Sequence, residues 1–222
     1  MDGVRHEGLR ERAGKLAAAA EWLKQQSGVR RAAFSLAFLT DSARVPDPFP
    51  VAQALPAGAA VILRDYEAPQ REQLARGLRS ICAARSLLLL IGADAQLARA
   101  VDADGLHLRA ADLKHPPEGA SDFPLRSASC HDAEQLDAAE AVDADIAFLS
   151  PAFATESHPE SAFLGRQKFS ALAVGAAMPV LALGGVDEWT CRYLAGPNVA
   201  GIGAIGAFMP RARSSASRSG PN

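Results

Sequence analysis

Three short segments hold the residue types that handle anions. "FLSPAFATESHPES" (148–161) runs from an apolar stretch into a loop with hydroxyls at Thr155 and Ser157 and an imidazole at His158. "LALGGVDEW" (181–189) and "GIGAIGAF" (201–208) are apolar runs interrupted by glycines. Glycine lets a backbone approach an oxyanion closely, and unpaired N–H groups at a following helix start can donate to it. Gly184, Gly185, Ile205 and Gly206 therefore read as a phosphate cradle, with relief of crowding at tight turns as the alternative use of the same glycines.

These segments need a scaffold that brings them to one place. Strand-length apolar runs occur at 33–39, 59–64, 87–91, 104–108, 124–129, 145–150, 179–183 and 199–204, separated by longer Ala/Arg/Glu-rich stretches of helical composition. That alternation predicts a parallel sheet wrapped by helices. An internal echo supports it: "ARAVDADGLHL" (98–108) and "AEAVDADIAFL" (139–149) agree at seven of eleven positions, each placing Asp-Ala-Asp between an Ala-rich helix and a strand. Eight βα units fit a single-domain (β/α)8 TIM barrel, and the Gly-rich dinucleotide loop of an open doubly wound sheet is absent after "FLTD". The barrel is expected over 29–209, preceded by an N-terminal helix within 1–28 that caps the floor or packs on the side. The Ser/Arg-rich segment 210–222 is expected to be a disordered tail.

Composition narrows the partners. A net charge of -2 gives no long-range attraction to nucleic acid or an anionic membrane, and the longest apolar run, "SLLLLIG", is too short to span a bilayer. Cys82, Cys130 and Cys191 are odd in number and scattered, which fits reduced thiols in the cytoplasm. A small phosphorylated molecule is the expected partner, and a homodimer is left open.

In a barrel of this kind the ligand site lies where the strands end, so the residues after each apolar run matter most. Taken in order, "DADGLHLRAADL", "SASCH", "SPAFATES", "PVLALGGV" and "GIGAIGAF" resemble the thiamine phosphate synthase family, which includes related thiazole tautomerases; the likeness runs from Phe34 to Phe208. The resemblance implies a cytoplasmic, magnesium-assisted transferase that joins a hydroxymethylpyrimidine diphosphate to a thiazole phosphate and releases pyrophosphate. The family pattern places Arg-x-Lys after the second strand, Asn-Asp after the third, an Asp after the fourth, and a Thr-x-Thr-Lys loop after the sixth. Here Arg64 keeps the arginine, but Tyr66 stands for the lysine, and Gly92 and Ala93 stand for Asn-Asp. Asp112 remains as a metal ligand, Thr155 and Ser157 keep the hydroxyls, and His158 stands for the loop lysine. The resemblance thus assigns Arg64, Ser129 and Thr155 to catalysis, His107, Ser157 and His158 to substrate binding beside the cradle, and Asp112 to magnesium. The replaced cations and carboxylate count against coupling, because preorganised charge is usually the largest catalytic term. Tautomerisation needs no diphosphate site, but its expected histidine position is Pro151; a non-catalytic phosphate-binding barrel is the remaining alternative.

Several of these residues have plain structural uses. His107 alternates with Leu106 and Leu108 and suits a hydrogen-bonded core histidine. His131 follows Cys130, so the two side chains face opposite ways and do not form a nucleophilic pair. The pairs Asp102/Asp104 and Asp143/Asp145 precede strands and suit turns rather than metal. Arg64 could salt-bridge Asp65 or Asp41, Thr40 and Asp41 could cap a turn, and Trp22 and Trp189 read as packing residues.

Overall fold

The computed structural model describes residues 2–29, 31–155 and 162–209, so the tail expected at 210–222 lies outside the described residues. Eight parallel strands form a closed barrel in sequence order: β1 (Leu36–Leu39), β2 (Ala60–Leu63), β3 (Leu88–Gly92), β4 (Gly105–Leu108), β5 (Arg126–Cys130), β6 (Ile146–Leu149), β7 (Val180–Ala182) and β8 (Val199–Ala204). All eight fall on the apolar runs read from the sequence. Closure comes from β8 pairing with β1, Leu36 opposite Ile202 and Phe38 opposite Ala204. Alternate residues face inward, and the interior is filled by side chains such as Leu39, Ile62, Leu90, Phe148 and Leu181. Phe148 stacks on Phe34 and meets the His107 ring edge-on. A Cβ at Gly203 would stand 2.8 Å from the Phe148 ring, so this β8 position leaves room for the phenyl group.

The helical ring is irregular. Helices α2 (Phe49–Ala54), α3 (Arg71–Arg85), α4 (Ala95–Ala100), α5 (Ala133–Ala141) and α6 (Gly165–Gly175) follow β1, β2, β3, β5 and β6, while among the described residues only 3-10 turns follow β4, β7 and β8. The N-terminal helix α1 (Asp2–Ser27) packs on the side of the barrel against β8 and β1, not under its floor. Its buried residues Ala13, Leu16, Ala20 and Leu23 form one helical stripe, and the Arg12 guanidinium donates to the Phe208 carbonyl at 2.9 Å. Trp22 is 39% and Trp189 48% exposed, so neither is the packing residue expected.

The repeated Asp-Ala-Asp segments form the same joint twice. Asp102 and Asp143 both take φ 52, the left-handed value that ends a helix. The Ala103 and Ala144 amides then bond back to Ala98 and Ala139. Asp104 accepts from the Leu89 amide at 2.7 Å, and Asp145 from the Arg126 amide at 2.8 Å, so each carboxylate fixes the start of the preceding strand. These aspartates act at the barrel floor, as their place before strands implied. Asp104 also pairs with Arg79 at 2.8 Å. Asp104→Ala is therefore expected to lower unfolding free energy by about 1–3 kcal/mol in urea titration, and Asp145→Ala by less. Wild-type stability in both variants would show that the joints hold without their carboxylates.

Candidate functional site at the carboxyl rim

The rim is built on a buried polar triad. His107 and Ser127 are 0% exposed. The imidazole lies 2.9 Å from Ser127 Oγ through Nδ1 and 3.0 Å from Ser129 Oγ through Nε2. Both ring nitrogens are thereby satisfied by hydroxyls on the adjacent strand. Burial first, and then the nearby Arg64 charge, hold the His107 pKa down at about 3. The ring is neutral at physiological pH and orients Ser129 rather than serving as a base.

Above it lies an interlocked cluster on the ends of β2, β3 and β4. Arg71, on the first turn of α3, bonds Asp94 at 3.0 Å and the Gly92 carbonyl. Arg109 holds both carboxylate oxygens of Asp112, Nε to Oδ2 at 2.8 Å and Nη2 to Oδ1 at 2.7 Å, while its own amide donates to Oδ2 at 3.0 Å. The Tyr66 ring has the Arg109 and Arg71 guanidinium carbons 5.1 and 5.7 Å from its centroid. Burial pushes the Tyr66 phenol above its ordinary pKa, opposed by the Arg64 and Arg109 charges beside it. A Cβ at Gly92 would meet the Tyr66 ring at 2.8 Å and the Leu63 carbonyl at 2.9 Å. A tyrosine in this pose and any side chain at position 92 compete for the same space, so the two positions are sterically coupled.

Arg64 reaches the cluster through a side-chain hydrogen bond to the Tyr66 phenol. Its amide donates to Thr40 Oγ1 at 2.9 Å, which fixes the strand end. The guanidinium forms no ion pair among the described residues. Asp65 instead accepts from the Ser42 amide, and Asp41 pairs with Arg44 at 3.3 Å, so neither carboxylate is the partner the sequence suggested.

On the opposite side, the loop after β6 is tied to the loop after β7. The Ala152 amide donates to Leu183 O at 2.8 Å and the Phe153 amide to Gly184 O at 3.0 Å. Gly184 and Gly185 take φ 88 and 67, and a Cβ on either would run into Pro151, Phe153 or Ala154. Close loop packing therefore requires both glycines, the crowding use anticipated as the alternative to a cradle. Gly206 opens a 3-10 turn after β8 and has open space around it. Ile205 precedes it as the N-cap, and Thr155 ends the described part of the β6 loop. Ser157 and His158 lie outside the described residues. His131 meets the Ser150 carbonyl through Nδ1 at 2.7 Å, on the face opposite buried Cys130. Burial pushes the Cys82 and Cys130 thiols up to about 12, which removes them as nucleophiles.

The donors at the rim do not suit a resident magnesium ion. Asp112, expected as its ligand, has both oxygens on Arg109. Burial would raise the Asp112 pKa, but the hydrogen bonds and charge of Arg109 overcome this and hold it below the usual carboxylate range. Asp94 caps α4 through the Leu97 amide at 2.8 Å and pairs with Arg71, so its carboxylate is already engaged. Among the described residues no group of three His, Cys, Asp or Glu side chains converges to hold a metal.

The structure thus brings Arg64, His107, Ser129 and Asp112 to one rim, with Gly184, Gly185, Ile205 and Gly206 in the loops that close it on the other side. Sequence reasoning missed the roles of Arg71, Tyr66 and Arg109. One signal was available: Arg109 sits two residues beyond inward-facing His107, so strand alternation carries it toward the mouth.

A family model described as thiamine monophosphate synthase matches residues 36–208. A thiamine-phosphate synthase of Pyrococcus furiosus is 29% identical over 177 residues, 77% of this chain and 84% of its own length. One from Chlamydia caviae is 31% identical over 186 residues, 79% and 87% of the two chains. Among solved structures, thiamine phosphate pyrophosphorylase from Pyrococcus furiosus shares the fold with a TM-score of 0.64 at 24% identity, covering 83% of this chain and 87% of that one.

Two outcomes test the site's construction. The unfolded state gains a proton on His107 near the free imidazole pKa of about 6.5, while the folded state resists it until about 3. Stability should therefore fall as pH drops through this window, with His107 contributing at most about 1.4 kcal/mol per pH unit, and His107→Gln should flatten the slope in denaturation curves. Gly92→Ala should cost about 1–3 kcal/mol by overpacking. The penalty should shrink in a Tyr66→Ala background, and equal penalties in both backgrounds would rule out the steric coupling.

Proposed function

The chain belongs to the thiamine monophosphate synthase family, and we propose that within thiamine biosynthesis it binds a phosphorylated thiazole precursor at the barrel rim, with the coupling reaction strongly weakened. The observation that carries this reading is the charge arrangement at the rim: Arg64 has no ion pair among the described residues, while Asp112 and Asp94 are already committed to arginines. A guanidinium with no carboxylate partner among the described residues, hydrogen-bonded to a phenol, is suited to receive an anion.

In this reading Arg64 receives the diphosphate end of a pyrimidine substrate. The main-chain amides at Gly185 and Gly206 receive the thiazole phosphate, and Ser129 and Thr155 offer hydroxyls between the two. His107 stays neutral and presents Ser129. Magnesium would supply charge to a leaving pyrophosphate in the family reaction, but the rim carboxylates do not fit it and no step is assigned to it. Expulsion of pyrophosphate then lacks much of the positive charge that stabilises the departing group. A non-catalytic phosphate-binding barrel is the second reading, favoured by the engagement of both oxygens of Asp112. The unit proposed to do this work is the barrel over 29–209, with α1 as part of its wall.

Incubation of the chain with hydroxymethylpyrimidine diphosphate, thiazole phosphate and magnesium, followed for thiamine phosphate, tests the proposal. Turnover should lie at least about a hundredfold below that of the Pyrococcus furiosus synthase assayed alongside, the size of losing one preorganised charge contact. Thiazole phosphate should still bind in calorimetry. Comparable turnover would remove the claim of weakened coupling, and absence of thiazole phosphate binding would remove the functional reading itself.

A further inference from the structure

The misfit between the rim carboxylates and a divalent cation raises the question of what, if anything, supplies positive charge there. Asp112 engages Arg109 through Nε and Nη2. This leaves Nη1 of Arg109 without a partner among the described residues, on a side chain 46% exposed. Arg109 lies over the Tyr66 ring and Arg64 hydrogen-bonds its phenol, so one side chain at the mouth of β2 and β4 holds both guanidinium groups. The Asp112 carboxylate, only 11% exposed, pins Arg109 in place, and the Tyr66 face supports it from the other side. Tyr66 can lie there only because position 92 is glycine. Guanidinium groups match phosphate oxygens with paired donors and are permanently charged, whereas a carboxylate with both oxygens engaged has little left for a metal.

We propose that Arg64 and Arg109, braced by Tyr66 and Asp112, form a diphosphate site that works without a divalent cation, the guanidinium of Arg109 taking the electrostatic place of the metal. The inference rests on the reading of the rim as a phosphate site and adds the ligand class and its metal independence. It also gives Asp112 a new role: the carboxylate positions an arginine instead of coordinating an ion.

Calorimetric titration of the full chain with pyrophosphate, in EDTA and in magnesium at matched free pyrophosphate, tests the proposal. Thiazole phosphate is titrated as a separate arm, and thermal melts establish that each variant is folded. The dissociation constant should agree within about twofold in the two buffers. Arg109→Gln and Arg64→Gln should each weaken binding about tenfold by removing charge-assisted bonds. Asp112→Asn, which loosens the brace on Arg109, should weaken binding by less than Arg109→Gln does, and by the same factor in EDTA and in magnesium. Pyrophosphate binding that needs magnesium and vanishes in Asp112→Asn would overturn the inference, as would wild-type affinity in Arg109→Gln. Thiazole phosphate binding without any pyrophosphate binding would overturn the inference and leave the proposed function standing, whereas loss of both ligands would remove both.

Discussion

The closure of β8 onto β1 is the constraint from which the rest follows. A parallel strand cannot reach its neighbour by a tight turn, so every unit returns across the outside, and a closed sheet sends all eight strand ends to one rim. Closure needs a small residue where the ring tightens. A Cβ at Gly201 would fall 1.8 Å from the Ser35 carbonyl, which itself accepts the Ile202 amide at 2.8 Å. Among the described residues this edge carries a 3-10 turn after β8, and α1 fills the outer wall there with its Ala13–Leu23 stripe. The helix N-terminal to the barrel thus covers apolar surface of β8 and β1.

Once eight strand ends converge, the charge brought to the rim must be balanced within it. At the ends of β3 and β4 two carboxylates are each engaged by an arginine, Asp94 by Arg71 and Asp112 by Arg109. Tyr66 lies between the two guanidinium groups and occupies space that a side chain at position 92 would need. The Tyr66 ring, the glycine at 92 and the turn of both Asp112 oxygens to Arg109 therefore belong to one packed corner. Under this corner the His107 network remains neutral and buried, so it contributes rigidity and not charge.

The architecture was legible because its signals are local. Strand-length apolar runs between helical stretches marked all eight strands, and the repeated Asp-Ala-Asp joint announced stacked units whose aspartates now prove to anchor the preceding strands. The position of α1 was left open, since helical composition does not say which apolar surface lacks a cover. At the rim, the family pattern pointed to strand ends that the fold brings together, but not to the partners of the residues on them. Whether Asp112 faces a metal or Arg109 depends on three residues bonding within one turn. Whether Tyr66 replaces a cation or organises two others depends on a contact to Gly92, 26 residues further along the chain. Neither is visible from residue types taken one position at a time.

The central claim is that the rim carboxylates are committed to guanidinium groups. Electron paramagnetic resonance of Mn2+ titrated into the chain, with pyrophosphate present, measures this most directly, since protein-bound and free Mn2+ give different spectra. The account predicts no stoichiometric protein-bound Mn2+ in wild type. A single tightly held Mn2+ that is lost in Asp112→Asn would contradict it.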